Sequence, residues 1–340
     1  MLKQRLYIFL FIVLGLCKES IAQDIHFSQF WASLHNTNPA LVAYFDGTGR
    51  FSFNQRTQWN TVTKPYTTFM ASYDAPIIKR PYRQDLFGLG VTAFRDVAGD
   101  SHFGTTQLNL SLSYIKALNR RNNNFVSFGL QLGGAQRNIT YSELYFDEQF
   151  VNGRFDPSMQ NSEQFSRSNF IFGDISVGSA WSFHKRYRQS YQVGISLSHL
   201  NQPKQSLFDD QNTRMDMKTM ITFTSQQKAS EDIDVYPMLM ASFQGTYYEV
   251  LLGGQTRYIF SKNSSTYTTF NAGIFYRFGD AAFVMFGAEY MRYQFGISYD
   301  INTSKLHNAS RYQGGWEISL NYLFNKNTPR KIKEVPCPIF

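Results

Sequence analysis

Cysteine is scarce in this 340-residue sequence, which contains only Cys17 and Cys337. Cys17 falls in an N-terminal segment with the features of an export signal. The exported chain would therefore keep Cys337 alone and could form no internal disulfide, even in an oxidising compartment. Its stability must come from packing and hydrogen bonding.

Long apolar runs are also missing. Residues 23–340 contain no stretch of about eighteen apolar residues, which excludes a transmembrane helix there. At the N-terminus, Lys3 and Arg5 precede an apolar run from Leu6 to Leu16, and Ser20-Ile21-Ala22 provides a small-x-small cleavage site. We therefore predict a signal peptide at 1–22. Lipidation of Cys17 is disfavoured because a leucine precedes it.

No strong excess of one charge is present. The chain has 33 Lys+Arg and 25 Asp+Glu, and removing the predicted signal leaves a balance of +6. Nucleic acid binding would require a clustered basic face and a recognisable reading motif. The basic residues are instead spread through turns and strand ends, so no nucleic acid partner is expected.

Motifs for catalysis are lacking too. The sequence has no G-x-S-x-G, and its histidines are scattered without a pair at metal-ligand spacing. We expect no enzyme activity, no catalytic residues, no cofactor and no metal site. His199, at a strand end, is interpreted as an ordinary interfacial histidine on the apolar face.

What the sequence does have is alternation with many aromatic residues. In Gln107–Tyr114, "QLNLSLSY", leucines and a tyrosine occupy one face, and Gln, Asn and Ser occupy the other. The same two-residue period recurs from Val126, Tyr191, Phe270 and Tyr293. Each segment reads as a β-strand with one apolar and one polar face.

The polar face and the strand lengths favour a membrane barrel over a soluble β-sandwich. The second face is rich in Gly, Ser, Asn, Gln and Thr, with occasional charges such as Glu289, Arg277 and Asp300, and the apolar face ends in aromatic residues. Outer-membrane barrels show this pattern. Several segments run for ten or more residues, near the nine to eleven that a tilted spanning strand needs.

The fold class is therefore all-β, a transmembrane antiparallel barrel of about 14 strands. We predict a plug or lid segment at 23–48, the barrel at 49–324 and a periplasmic tail at 325–340. The predicted strands start near these residues: Gly49, Tyr66, Leu86, Phe103, Phe125, Phe170, Tyr191, Thr213, Tyr236, Tyr248, Tyr267, Ala281, Tyr293 and Gln313.

Charge differs between the two predicted ends of the barrel. We expect both termini in the periplasm. The long, acidic connection at 138–168 then faces the cell exterior, whereas the periplasmic turns contain Lys79-Arg80, Arg120-Arg121 and Lys185-Arg186. Attraction to inner-leaflet phosphates explains the basic turns, and docking to an acidic periplasmic partner is the alternative.

The stretch after the signal, "DIHFSQFWASLHNTNPALV", is predicted to fill the lumen. Phe27, Phe30, Trp31 and Leu34 fall at i, i+3, i+4 and i+7, which predicts a short amphipathic helix starting near Asp24 as N-cap. Asn38-Pro39 ends it. A barrel of this size is wider than its own side chains can fill. An aromatic helix lying on the inner leaflet is the alternative.

Several short motifs resemble the PorP/SprF family of type IX secretion membrane proteins. They are Gln23-Asp24, His26-Phe27-Ser28-Gln29-Phe30, Asn38-Pro39-Ala40-Leu41, Arg56 with Gln58-Trp59, Ala71-Ser72-Tyr73-Asp74, Phe155-Asp156-Pro157, Ser304-Lys305-Leu306, Glu317-Ile318-Ser319-Leu320 and Cys337-Pro338-Ile339-Phe340. Ile25 and Ile339 depart from the pattern, where relatives often have Pro and a basic residue.

The resemblance implies an outer-membrane barrel of a Bacteroidetes secretion and gliding motility apparatus, paired with a secreted surface adhesin. The basic tail is the predicted docking element for the secretion machinery, through Lys326, Arg330, Lys331, Lys333, Cys337 and Phe340. A solvated basic tail without a partner is the alternative. A FadL-like transporter of hydrophobic small molecules is the alternative function. Such a barrel also has fourteen strands and a plug, and Asn38-Pro39-Ala40 resembles a motif in that plug region. The expected inner face, however, is polar.

Overall fold

The structure is a computed structural model that describes most of the chain. The described residues are 24–58, 64–79, 85–144, 146–151, 154–156, 167–207, 213–261, 266–304 and 312–324. The predicted signal peptide and the predicted tail lie outside them. Within these residues, no helix is long and apolar enough to cross a bilayer.

Fourteen of the strands described form one closed antiparallel barrel. Two further strands of two residues each, β6 (Phe150–Val151) and β7 (Arg154–Phe155), pair with each other in the connection after β5. The barrel strands are β1 (Gly49–Gln58), β2 (Tyr66–Lys79), β3 (Leu86–Ala98), β4 (Phe103–Ala117), β5 (Asn124–Asn138), β8 (Asn169–Arg186), β9 (Gln189–Ser198), β10 (Lys218–Lys228), β11 (Ile233–Gln244), β12 (Tyr247–Ser261), β13 (Thr268–Arg277), β14 (Ala281–Tyr290), β15 (Tyr293–Asn302) and β16 (Gln313–Phe324).

Each barrel strand pairs with its neighbours in the chain, and β1 closes the ring against β16. The closing register runs from Gly49 opposite Phe324 to Gln58 opposite Gly315. Because β1 begins where β16 ends, both chain ends of the barrel lie at one rim. The connections at this rim are short, for example 187–188 and 291–292, and we call it the short-turn end. The other rim, the long-loop end, carries the connections 139–168 and 199–217.

The two faces of the wall follow the predicted alternation. In β4, Leu108, Leu110 and Leu112 are exposed on the outside, whereas Asn109 and Ser111 are buried. The exposed leucines form a surface suited to lipid, and the buried polar side chains face the lumen. The prediction of a fourteen-stranded barrel with lipid-facing leucines is confirmed.

The predicted strand starts agree with the structure to within three residues, with one exception. The eighth barrel strand, β10, begins at Lys218 rather than near Thr213. Residues 213–217 continue the connection from β9, in which Arg214 forms an isolated bridge with Lys204. Alternation alone does not distinguish this bridged loop from a strand that belongs to the wall.

Candidate functional site

Residues 24–48, which we call the plug segment, lie inside the barrel. Hydrogen bonds join them to twelve of the described strands: β1–β5, β8–β11, β13, β15 and β16. The remaining two, β12 and β14, pack on the segment through an apolar cluster around Phe30. A segment that contacts strands all around a closed ring must occupy its lumen.

The plug segment crosses the lumen lengthwise. Asp24 contacts Lys218, at the start of β10 and therefore at the long-loop end. Ala43 donates its backbone N–H to Asp74 of β2, and Tyr44 contacts His184 near the end of β8, both towards the short-turn end. The described segment thus starts at the long-loop end and runs down to the rim where β1 begins. The expectation that both termini lie at the same, short-turn end is therefore wrong for Asp24, the first described residue.

A short helical stretch in the plug segment is confirmed, but the amphipathic helix predicted to start near Asp24 is wrong. The described segment contains one turn of α-helix, α1 (Leu34–Thr37), and a short 3-10 helix at Pro39–Leu41. Asp24 caps no helix, and residues 24–29 are not helical. The physical reason lies in the wall: the backbone N–H groups of Ser28 and Gln29 donate to the Glu317 carboxylate and not to an intrahelical carbonyl.

The aromatic side chains predicted for one helix face contact different parts of the lumen. Phe27 packs with Met70 and Phe94. Phe30 packs in a larger cluster that includes Met220 and Phe283.

Trp31 and Leu34 complete this apolar packing. Trp31 stacks on Phe275 with ring centroids 4.7 Å apart. Leu34 packs beside Leu41 and Ala180. The spacing of the aromatic residues therefore matches separate pockets along an irregular segment and not a helical stripe.

Asn38-Pro39 ends α1, where the sequence predicted a break. Asn38 is extended, and its side-chain oxygen accepts a hydrogen bond from the Ala40 N–H, capping the 3-10 helix that Pro39 begins. Its Nδ2 donates to the carbonyls of Ser179 and Ile195 at 3.0 and 3.2 Å. One asparagine thus shapes the segment and ties it to β8 and β9.

Ser28 and Gln29 make several polar contacts with the wall. Glu317 Oε2 accepts from the Ser28 N–H at 2.7 Å, and Oε1 accepts from the Gln29 N–H at 3.0 Å. The Ser28 hydroxyl donates to Asp300 at 2.9 Å and accepts from Arg277 Nη2 at 2.8 Å. All five side chains are buried. The plug backbone therefore supplies donors to a carboxylate that would otherwise be unsatisfied.

Two arginines balance the carboxylates in this region. Arg56 pairs with Asp300 at 2.9 Å and donates to the His26 carbonyl at 3.0 Å. Arg277 forms an ion pair of 2.8 Å with Glu249. Because buried charges are tolerated only when they are paired and hydrogen-bonded, this cluster depends on the plug for part of its satisfaction.

A second charged group holds the start of the plug. Asp24 Oδ2 lies 3.1 Å from Lys218 Nζ and 3.4 Å from His199 Nε2, and His199 Nδ1 lies 2.9 Å from Asp174. Burial opposes ionisation of Asp24, but Lys218 and His199 bring its pKa well below the usual range. Burial also opposes a charged His199, yet its hydrogen bonds to Asp174 and Asp24 raise the pKa to about 9. The interpretation of His199 as an interfacial residue is wrong.

Glycines in the wall leave room for the plug backbone. A Cβ added at Gly129 of β5 would overlap Pro39 and the Ala40 nitrogen. One added at Gly178 of β8 would overlap the Asn38 side chain. The segment therefore lies against the wall at distances that only glycine permits.

Two of the cavities lined by described residues lie at the short-turn end. The first, of about 240 Å³, lies between Phe30, Trp31 and Leu34 of the plug and the inner faces of β8–β11. The second, of about 360 Å³, lies beneath Tyr44 and Phe45, against β3–β5. They meet at Tyr44 and His184, whose Oη and Nε2 atoms are 3.0 Å apart.

The remaining predicted site residues belong to the tail. Lys326, Arg330, Lys331, Lys333, Cys337 and Phe340 lie outside the described residues. In the part of the chain that the structure describes, no group of three or more His, Cys, Asp or Glu side chains is placed to hold a metal ion.

The pairings of the lumen charges were missed at the sequence level. Arg277 and Asp300 were noted as charges on a polar strand face, but not as partners of Ser28. The position of Arg277 and Asp300 on the inner face of their strands could have indicated these pairings. A charged residue on the inner face of a strand needs a counter-charge or donor, and the polar motif His26–Phe30 was the segment available to provide it.

These features define a class of protein: an outer-membrane β-barrel with a lipid-facing exterior and a plugged lumen. The model of the family described as "Type IX secretion system membrane protein PorP/SprF" matches residues 19–322. The chain therefore belongs to the PorP/SprF family, as the motifs suggested, and is an outer-membrane component of the type IX secretion system.

Solved outer-membrane barrels are similar in overall shape. The monoaromatic hydrocarbon channel CymD is 12% identical with a TM-score of 0.48, and the match covers 90% of this chain and 95% of the CymD chain. The Pseudomonas putida toluene transporter TodX is 10% identical, with a TM-score of 0.46, and covers 85% and 93%. A Pseudomonas aeruginosa FadL homologue is 11% identical, with the same score and coverage. The search of curated proteins finds no match.

Proposed function

We propose that this barrel is a non-catalytic part of the type IX secretion apparatus that supports export or surface attachment of a partner adhesin, as in gliding motility. Membership in the PorP/SprF family is the observation that carries the proposal. Outer-membrane barrels have short turns in the periplasm and long loops outside, so the short-turn end faces the periplasm. The barrel can therefore meet periplasmic machinery at one rim and a surface protein at the other.

The filled lumen supports a role as a scaffold and not as a conduit. Passage of a polypeptide would require removal of the plug, which would break the hydrogen bonds that Ser28 donates to Glu317 and Asp300. Hydrogen bonds to charged groups contribute about 1.5–3 kcal/mol each, so loss of several at once opposes opening. We infer that the adhesin engages the barrel from outside its lumen.

A transporter of hydrophobic small molecules would need an apolar path through the barrel. The inner wall here is rich in buried Ser, Thr, Asn and Gln, including Asn54, Ser111 and Gln131, and its apolar cavities lie at one end. This polar lining favours the secretion role. Growth on hydrophobic substrates provides the discriminating readout in the same strains.

Deletion of the gene tests the proposal. We expect normal growth on all carbon sources but loss of one adhesin from the surface, measured by surface proteolysis and mass spectrometry. Complementation with the full chain should restore it. Normal display in the deletion strain would refute the secretion role, and a growth defect confined to hydrophobic substrates would favour the transporter.

Complementation of the same deletion strain with a shortened chain tests the tail. Truncation after Asn325 should leave a heat-modifiable, assembled barrel, because β16 ends at Phe324. We expect the adhesin to remain absent, since Lys326, Arg330, Lys331 and Lys333 are removed together with Cys337 and Phe340. Restored display would assign docking to another part of the short-turn end.

A further inference from the structure

The two cavities at the short-turn end form one crevice that no part of the proposed function uses. Their shared boundary is the hydrogen-bonded pair Tyr44–His184. The first cavity could hold about eight water volumes of ~30 Å³ each, enough for a large side chain. Both cavities lie inside the strand ring, so lipid on the outer face of the barrel does not reach them.

The crevice is aromatic, with a few polar groups. Phe30, Trp31, Tyr191 and Tyr236 line the first cavity. The Tyr236 hydroxyl is buried and has no hydrogen-bond partner among the described residues. Concave apolar sites with a small number of unpaired polar groups are typical of binding sites.

The rim around the crevice is basic. Arg120 and Arg121 are exposed in the β4–β5 connection, and Arg186 is exposed at the end of β8. Lys116 and Lys185 alternate with the cavity-lining Ile115 and His184 and therefore lie on the outer face. Acidic groups are fewer: Asp46 lines the second cavity, Asp234 pairs with Arg188 at 2.7 Å, and Glu231 pairs with Lys228. A partner that meets this rim gains from negative charge.

We propose that the short-turn end docks an acidic peptide segment of a periplasmic protein, with one apolar or aromatic side chain inserted beside Trp31 and Tyr236. The basic rim specifies the negative charge of the peptide, and the aromatic lining of the crevice specifies its inserted apolar side chain. The assignment to the periplasm rests on the proposed function. The binding chemistry rests on the geometry alone.

The test uses the purified full-length barrel in nanodiscs of zwitterionic lipid. The probe is a short fluorescein-labelled peptide in which glutamates flank one tryptophan, and binding is read by fluorescence anisotropy. We expect saturable binding that weakens about tenfold with Arg120→Glu plus Arg186→Glu, and about tenfold with Ser190→Trp, which fills the first cavity.

Matched controls separate site-specific effects from general ones. Lys64→Glu plus Arg214→Glu makes the same charge change in connections at the long-loop end and should leave the affinity within about twofold. A probe with serine in place of tryptophan should bind about as weakly as the wild-type probe binds Ser190→Trp. Heat-modifiable mobility shows that each variant is folded.

The outcomes distinguish the ligand. Equal loss with both charge pairs, or no effect of Ser190→Trp, would overturn the docking site. Loss of peptide binding when anionic lipid is added, together with no dependence on tryptophan, would assign the rim to lipid phosphates. None of these results depends on adhesin display, so failure here is distinct from failure of the secretion role.

Discussion

The backbone N–H of Ser28 donates to Glu317 Oε2 at 2.7 Å across 289 positions of sequence. The adjacent Gln29 N–H occupies the other carboxylate oxygen at 3.0 Å. This pair of contacts joins the plug to the last strand of the barrel. It also explains why Ser28 and Gln29 are not helical, because both N–H groups are used by the wall.

The first prediction concerns this contact. Glu317→Gln replaces one of the two acceptors by an NH₂ group, so one plug N–H loses its partner. We expect a folded barrel whose plug is destabilised by about 1–3 kcal/mol, measured as faster proteolysis within residues 24–48. Glu231→Gln, at an exposed carboxylate of the short-turn end, should have no effect. Equal protection of the plug in both variants would contradict the role of Glu317.

The second prediction uses two glycines of one strand. Gly129→Ala should displace the plug backbone at Pro39 and lower the unfolding temperature, with a cost of about 1–3 kcal/mol for overpacking. Gly134→Ala, also in β5, has open space around its Cβ and is the control. The measurement is heat-modifiable gel mobility over a temperature series. If the two alanines behave alike, the plug does not lie against β5 as described.

The third prediction concerns the two faces of the wall. Leu110→Arg places a charge on the lipid face near the middle of β4 and should impair insertion by about 2–4 kcal/mol. Gln255→Arg places the same charge near the middle of β12, in a polar cavity that contains Glu289, and should be tolerated. Assembly is read as the fraction that is heat-modifiable. Equal losses would disprove the assignment of the faces.

The fourth prediction is a pH dependence. The pKa of His199 is raised to about 9, so its contribution to stability is complete below about pH 6.5 and is lost as the pH rises through about 9. The groups that face this network are Asp24, Asp174, Lys218 and Arg137. We expect a loss of about 3 kcal/mol between pH 7 and 10.

His199→Gln isolates this effect from other groups that titrate in alkali. The variant should be less stable than the wild type at pH 7, and the two unfolding temperatures should converge near pH 10. A constant difference across this range would mean that the charge of His199 does not hold the plug.

Much of the fold follows from the sequence because alternation reports directly on a wall with two environments. Leu108, Leu110 and Leu112 can only face lipid if Asn109 and Ser111 face the lumen, so strand faces and most strand starts are fixed locally. The predicted start of β10 was wrong because the bridge between Arg214 and Lys204 continues the extended pattern outside the wall.

The plug could be located from sequence but its conformation could not. Phe27, Phe30 and Trp31 have helical spacing, yet each fills a cavity whose shape is set by distant strands. The partner of Ser28 lies on β16, and no local pattern identifies it. Long-range charge pairing sets the conformation of the plug segment. This explains why helical periodicity predicted a helix near Asp24, where the structure has none.

Single-channel conductance in planar bilayers tests the central claim, that the plug segment closes the lumen. The measurement compares the full-length protein with a deletion of Asp24–His35, after heat-modifiable mobility shows that both are folded. Where the deletion does not fold, Glu317→Gln takes its place. We expect a closed wild-type barrel and a clear rise in conductance, or frequent openings, when the plug is removed or loosened. An unchanged, low conductance in a folded deletion would contradict this claim.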